Sequence, residues 1–152
     1  MPLPALRDVP TRLTTGAFIL HAGLGKWNLP PERAAGLHGM AKGTYPFLDK
    51  LPPERFGKAL AAAEIATGSV LLAPFVSNRK AGLALTAFAG GLLGMYWQTP
   101  GMREPGSIWP TQAGTAISKD VWMLGIGLGL LIDRRSRGRR KKAVAKVQGQ
   151  KV

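Results

Sequence analysis

Four apolar blocks divide this chain, and its charged residues gather where the blocks end. The third block, residues 81–97, carries no charge, and the fourth carries none between Asp120 and Asp133. A helix on the surface of a soluble protein has a charged stripe at helical spacing, and these two blocks lack one. The sequence therefore predicts an all-α fold, an integral membrane four-helix bundle, rather than a soluble bundle.

Each block extends to the length that a membrane crossing requires. About 20 helical residues cross the roughly 30 Å of hydrocarbon in a bilayer. The predicted spans are residues 10–27, 56–76, 79–97 and 115–133, which together form a transmembrane domain of residues 1–133. The first and fourth spans reach full length only when their polar flanks are counted.

Basic residues set the predicted orientation. The turn between the second and third blocks carries Arg79 and Lys80 without an acid, and residues 133–152 hold nine basic residues against one acid. Because basic residues favour the cytoplasmic side, we expect both termini inside and two elaborated outer loops, residues 28–55 and 98–118. The Arg- and Ala-rich composition favours a multi-pass protein of a bacterial plasma membrane.

The C-terminal tail, residues 134–152, holds much of the net charge of +13. It has no aromatic residue on which a base would stack, so we expect no nucleic-acid partner. We expect a basic, disordered cytoplasmic tail that contacts anionic lipids, at about 1 kcal/mol per basic residue near the surface. The predicted membrane-surface residues are Arg79, Lys80, Arg134, Arg135, Arg137, Arg139 and Arg140.

Prolines mark two further helix starts in the outer loop. Pro31 and Pro53 each precede an acid and a base, and proline and acids both favour the first turn of a helix. We expect a short interfacial helix over residues 31–40 and a second span that begins near Pro53. The aromatic residues near the outer boundary are interpreted as a membrane-interface belt: Trp27, Tyr45, Phe47, Tyr96, Trp97, Trp109 and Trp122.

Small residues four apart on a helix allow another backbone to approach closely. Packing inside the bundle is the favoured interpretation of these pairs, and a dimer face is the alternative. The pairs are Gly90 and Gly94, Ala87 and Gly91, and Gly125 and Gly129.

The candidate site consists of ionisable residues at membrane depth. Glu64 and His21 both fall in the outer half of their spans, where the two side chains could face each other. A carboxylate there must be paired, protonated or in contact with a water-filled cavity. The functional interpretation is a quinone or small-molecule pocket formed by His21 and Glu64, with Lys26, Lys119 and Asp120 at its mouth. A structural hydrogen bond or ion pair between helices is the alternative.

The residue inventory argues against independent catalysis. The chain has no cysteine and only two histidines, His21 and His38, so thiolate chemistry, iron–sulfur ligation and cysteine-type zinc sites are excluded. No metal site and no nucleophile paired with a base can be assembled. We expect a non-enzymatic protein with no cofactor of its own, which uses a partner's cofactor or a diffusing quinone.

The order of several short motifs resembles the DoxX-like family of small four-helix membrane proteins. The motifs are Arg12-x3-Gly16, His21-Ala22-Gly23-x2-Lys26, Ala63-Glu64-x3-Gly68-x2-Leu71-Leu72, Arg79-x-Ala81-Gly82, Lys119-Asp120 and Leu131-Ile132-Asp133. The resemblance implies a four-helix bundle and, in some members, association with membrane redox enzymes such as the quinone-reducing thiosulfate oxidoreductase or with oxidative-stress complexes. The matching positions are Arg12, Gly16, Gly23, Lys26, Glu64, Gly68 and Arg79. The two long outer loops depart from a minimal member of the family.

Two functional hypotheses follow. In the first, the protein is an accessory or assembly subunit of a membrane complex linked to redox or quinone chemistry, with partner subunits or a second copy of itself docked on its small-residue faces and outer loops. In the second, it is a stand-alone carrier of a small molecule or lipid, with a cavity lined by His21 and Glu64.

Overall fold

The fold is all-helical, as the sequence predicts, in a computed structural model that describes residues 6–132. A 3₁₀ turn, Leu6–Asp8, precedes the first α-helix, and a second one, Pro46–Lys50, follows the second α-helix. No strand occurs between residues 6 and 132. The α-helices are α1 (Val9–Lys26), α2 (Pro31–Thr44), α3 (Pro53–Leu72), α4 (Asn78–Gln98), α5 (Thr115–Ser118) and α6 (Val121–Ile132).

The helix boundaries follow local chemistry. Pro31 and Pro53 lie in the first turns of α2 and α3, where a missing backbone N–H costs nothing. α3 stops at Leu72 because Ala73 precedes Pro74 and takes an extended backbone, as a residue before proline prefers. The Ser77 hydroxyl then caps α4 by accepting a hydrogen bond from the Lys80 N–H.

α1 packs along α3 through glycines. At Gly68, an added Cβ would lie 2.6 Å from the backbone nitrogen of Leu20, and at Gly16 it would lie 2.9 Å from the Cβ of Leu71. At Gly23, it would lie 2.9 Å from the backbone oxygen of Ala61. These distances leave no room for a side chain, so the glycines let the two backbones approach closely.

α4 packs along α6 in the same way. A Cβ at Gly82 would lie 2.6 Å from the backbone oxygen of Gly127, and one at Gly127 would lie 2.5 Å from the hydroxyl of Thr86. The bundle therefore consists of two glycine-packed pairs, α1 with α3 and α4 with α6, and α3 contacts α4 between them.

The two ends of the bundle differ. The end that holds the short α3–α4 turn, residues 73–77, also holds the start of α1 and the end of α6; we call it the turn end. A compact apolar core occupies this half and draws on α1, α3, α4 and α6: Ile19, Leu71, Ala81, Leu85 and Leu130. The opposite end, the loop end, holds α2, α5 and the long connections.

The connection after α4 is held in place by its own hydrogen bonds. Glu104 N–H donates to the Trp109 carbonyl at 2.9 Å, and Thr111 N–H donates to the Met102 carbonyl at 3.0 Å. Arg103 stacks over the Trp97 ring, with its guanidinium carbon 4.1 Å from the ring centroid, a cation–π contact. The loop is thus an ordered hairpin-like segment at the loop end.

Much of the apolar surface of the bundle lies uncovered. Phe18 is 75% exposed, Leu83 is 61% exposed and Trp122 is 70% exposed. Among residues 6–132, one segment, Thr115–Ile132, is apolar and long enough to cross a membrane, with a mean hydropathy of 1.4 over 18 residues, and the other helices do not reach that level.

The glycine pairs singled out in the sequence have a different role from the packing glycines. A Cβ at Gly90, Gly91, Gly125 or Gly129 would meet no atom of the described chain within 4 Å. Gly94 does have a neighbour, because the Tyr45 hydroxyl lies against it and donates a 2.8 Å hydrogen bond to the Gly91 carbonyl. Most of these glycines therefore face outward, and internal packing does not account for them.

Part of the sequence interpretation lies outside the described residues. The predicted basic tail, with Arg134, Arg135, Arg137, Arg139 and Arg140, begins after the last described residue, Ile132. Arg79 and Lys80 are exposed in the first turn of α4, at the turn end.

Candidate functional site

A cavity of about 460 Å³ lies in the loop-end half of the bundle. Its wall is predominantly apolar and comes from α1, α2, α3, α4 and α6 and from the segment that leads into α6. Its apolar lining includes Phe18, Ile19, Leu37, Met40, Phe56, Leu60, Phe88, Leu92, Met95, Ile117 and Met123. A space of this size and character is typical of sites for small organic molecules.

Three ionisable side chains contribute to the cavity wall: Lys26, Glu64 and Asp120. Lys26 is in the last turn of α1, Glu64 is in the middle of α3, and Asp120 immediately precedes α6. The fold thus brings together charged residues from three separate parts of the sequence.

Lys26 and Glu64 form an ion pair. Lys26 Nζ lies 3.0 Å from Glu64 Oε2 and also donates to the Ala22 carbonyl at 3.4 Å. The Glu64 side chain is 9% exposed and that of Lys26 is 29% exposed. An oppositely charged partner offsets the cost of a carboxylate at this depth, so the pair explains how α3 carries an acid inside the bundle.

Asp120 is the third charge at this wall, and it is half-buried. It interacts electrostatically with both Glu64 and Lys26. Within residues 6–132 its carboxylate has no hydrogen bond and no ion pair. Because the three groups are two acids and one base, they carry one negative charge in excess, and Lys26 is already bound to Glu64.

The structure separates His21 from the other predicted site residues. His21 is exposed on α1 and is not part of the cavity wall. Lys119 is exposed beside Asp120 and is also outside the wall. His21 lies five residues from Lys26, whereas residues three or four apart share a helix face. The grouping of Lys26, Glu64 and Asp120 therefore differs from the predicted pairing of His21 with Glu64.

A smaller cavity, about 260 Å³, adjoins the same lysine. Trp27, Glu54 and Lys58 contribute to its wall, together with Lys26. Polar and apolar groups line this space at the loop end about equally, and Lys26 contributes to both cavities.

A second buried charge lies at the turn end. Arg12, 3% exposed, donates hydrogen bonds to backbone carbonyls at and beyond the end of α3, where helical carbonyls lack partners. The acceptors are Leu71 O at 2.8 Å, Val70 O at 3.2 Å, Ala73 O at 2.9 Å, Val76 O at 2.9 Å and Asn78 Oδ1 at 2.9 Å. Arg12 thus closes the turn end of the bundle and lies apart from the cavity.

Asn78 extends this network to the start of the chain. Its Nδ2 donates to Asp8 Oδ2 at 2.6 Å, so Asp8, Arg12 and Asn78 connect α1, the α3–α4 turn and α4. The positive charge of Arg12 also lies at the negative end of the α3 dipole. The role of Arg12 is therefore structural.

The site residues predicted from the sequence do not include the apolar wall of the cavity, although the sequence contains a pattern that indicates it. Phe88, Leu92 and Met95 recur at helical spacing along α4, on a helix otherwise rich in alanine and glycine. Phe56, Leu60 and Glu64 recur at four-residue intervals along α3. Such stripes mark one helix face, and here the faces meet at the cavity.

No group of three or more potential metal-ligating residues occurs in residues 6–132. The wall offers carboxylate oxygens as acceptors, an ammonium as donor and an apolar volume beside them.

Comparison of the chain with protein-family models, with curated proteins and with solved structures finds no match.

Proposed function

We propose that the protein is a multi-pass membrane protein that binds a small amphipathic molecule, a quinone or a lipid, in the cavity between its helices. The four spans are α1, α3, α4 and the segment Thr115–Ile132. The observation that carries the proposal is the cavity itself, in which an apolar volume of about 460 Å³ meets Lys26, Glu64 and Asp120 at one wall.

Helix length and surface support the membrane part of the proposal. α1, α3 and α4 have 18, 20 and 21 residues, and at about 1.5 Å per residue such helices match the roughly 30 Å of a bilayer core. Exposed apolar side chains such as Phe18, Leu83 and Trp122 are expected on a surface that faces lipid. With Arg79 and Lys80 at the turn end, the positive-inside tendency assigns that end to the cytoplasm.

The openness of the cavity supports a ligand that enters from the bilayer. α1 packs on α3 and α6 packs on α4, whereas α1 and α6 have no extensive contact with each other. Phe18 contributes to the cavity wall while being 75% exposed. A ligand dissolved in lipid therefore has a lateral route between α1 and the α5–α6 segment.

A second candidate function is that of an accessory subunit in a membrane complex. The observation that favours it is the set of uncovered glycines, Gly90, Gly91, Gly125 and Gly129, because small residues let another transmembrane helix approach closely. The resemblance to DoxX-like proteins and their redox complexes is consistent with this candidate. Stoichiometric partner subunits after extraction in a mild detergent would favour it.

Single cysteines test the membrane topology, because the native chain has none. We expect a membrane-impermeant maleimide to label Ser107→Cys, in the loop-end hairpin, on intact cells. Ser77→Cys, in the turn-end turn, should react only after the membrane is permeabilised. Equal labelling of both variants on intact cells contradicts the proposed topology.

Filling the cavity tests the binding function. Ala22 contributes to the cavity wall, and Ala17 is exposed on the same helix outside it. In lipid nanodiscs, we expect saturable binding of decylubiquinone, a probe with a quinone head and an apolar chain, to fall at least tenfold in Ala22→Phe and to persist in Ala17→Phe. Non-saturable binding by the wild type, or equal binding by both variants, contradicts the proposal for this probe.

A further inference from the structure

We propose that the cavity selects amphipathic molecules whose head carries a positive charge. The inference rests on the proposed binding function and specifies the class of ligand. It follows from the charges at the cavity wall and from the aromatic rings beside them.

The charges at the wall do not balance. Lys26, Glu64 and Asp120 are the charged residues that line the cavity, and Lys26 is already bound to Glu64 at 3.0 Å. Asp120 faces the same space with no hydrogen bond or ion pair within residues 6–132. A cationic head would supply the partner that the Asp120 carboxylate lacks.

Neighbouring cations do not supply that partner. Lys119 is exposed and makes no ion pair in the described chain. Lys58 contributes to the wall of the smaller cavity and not to this one. The excess of one acid is therefore specific to the larger cavity.

The apolar part of the wall reinforces the same choice. Phe18, Phe56 and Phe88 all contribute to it. The faces of aromatic rings attract cations, and they do so more strongly where water is excluded. An anionic head would meet two carboxylates and a lysine that is already paired, so the wall disfavours it.

Matched probes that differ in charge test the inference. Decylammonium is the cation, decanol is the neutral molecule with the same chain, and decanesulfonate is the anion with the same chain. Binding of each probe to the protein in nanodiscs is measured in excess over protein-free nanodiscs of the same lipid. We expect decylammonium to bind at least tenfold more tightly than decanol, and decanesulfonate to bind more weakly than either.

Variants assign the preference to Asp120. Asp120→Asn should lose the tenfold preference while it still binds the neutral probe, and Asp120→Glu should keep the preference. Asp49→Asn, an exposed acid outside the cavity wall, is the matched control and should behave as the wild type. If Asp120→Asn does not fold, the relative affinities of the three probes for the wild type still test whether the cavity prefers a cation.

Each remaining outcome overturns the inference in a recognisable way. Equal binding of cation and neutral molecule, both weakened by Ala22→Phe, removes the charge preference and leaves the cavity as a binding site. A preference for the cation that persists in Asp120→Asn contradicts the proposed role of the Asp120 carboxylate. If neither probe binds saturably, and Ala22→Phe changes nothing for these probes or for decylubiquinone, the proposed binding function fails as well.

Discussion

Replacement of Arg12 should destabilise the bundle more than any replacement of an exposed arginine. The Arg12 guanidinium makes five hydrogen bonds, four to backbone carbonyls and one to Asn78 Oδ1. A hydrogen bond to a charged group contributes about 1.5–3 kcal/mol, and water at the turn end would recover part of what is lost. Removal of one partner from a buried charged network costs about 3–5 kcal/mol, which is the loss in unfolding free energy expected for Arg12→Ala.

Arg12→Lys separates charge from geometry. Lysine keeps the charge but has three donors on a compact ammonium, in place of the planar five-donor fork. It cannot reach all five acceptors, so we expect about half the loss of the alanine variant. Arg79→Ala, an exposed arginine at the same end, should stay within about 0.5 kcal/mol of wild type.

The assay is reversible unfolding of the purified protein in mixed micelles, with the fraction of SDS increased stepwise and helix content followed by circular dichroism. Arg12→Lys with wild-type stability would refute the reasoning that the fork geometry matters. A loss in Arg79→Ala equal to that in Arg12→Ala would show that the effect is general to basic residues at this end.

Three further predictions concern packing and pairing, each measured in the same unfolding assay. Gly68→Ala should lose about 1–3 kcal/mol of unfolding free energy, because its Cβ would meet the α1 backbone at 2.6 Å. The matched control, Gly129→Ala, has open space around it and should be as stable as the wild type or more stable. Equal effects of the two substitutions would refute the packing role of Gly68. Lys26→Met and Glu64→Gln should each lower the unfolding free energy, because each leaves the other member of the ion pair without its charged partner. The double variant should lose less than the sum of the two single losses. Strict additivity would rule out the ion pair. Tyr45→Phe should lose about 1 kcal/mol through its 2.8 Å hydrogen bond to a backbone carbonyl, and no change would show that this contact is not retained in micelles.

Much of the helix content is visible in the sequence because it depends on local signals. Apolar blocks between charged ends predict the long helices, and Pro31 and Pro53 predict where α2 and α3 begin. α2 continues to Thr44, beyond the expected residue 40, and ends where Tyr45 precedes Pro46, because the residue before a proline disfavours a helical backbone. The fourth block divides at Lys119 and Asp120 into α5 and α6, although a continuous span was expected.

The arrangement of the site depends on helix rotation, which the sequence specifies poorly. Depth along a predicted span follows from counting residues, which predicts that both His21 and Glu64 lie in the outer half of their spans. Which face each residue occupies follows from the glycines at the α1–α3 contact, and these direct Lys26 rather than His21 toward Glu64. Glycine spacing does not identify the packing positions, because Gly127 packs against α4 while Gly125 and Gly129, two residues away on either side, have open space around them.

The partners of Arg12 also bear on how the chain is made. Its acceptors are encoded 58 to 66 residues later, and the carboxylate that binds Lys26 is encoded 38 residues later. At roughly 5–20 residues per second of synthesis, α1 exists for several seconds with two basic side chains that have not yet met these partners. The first helix of this protein is therefore made before the residues that it binds, and both of its basic side chains have to be accommodated until α3 has been synthesised.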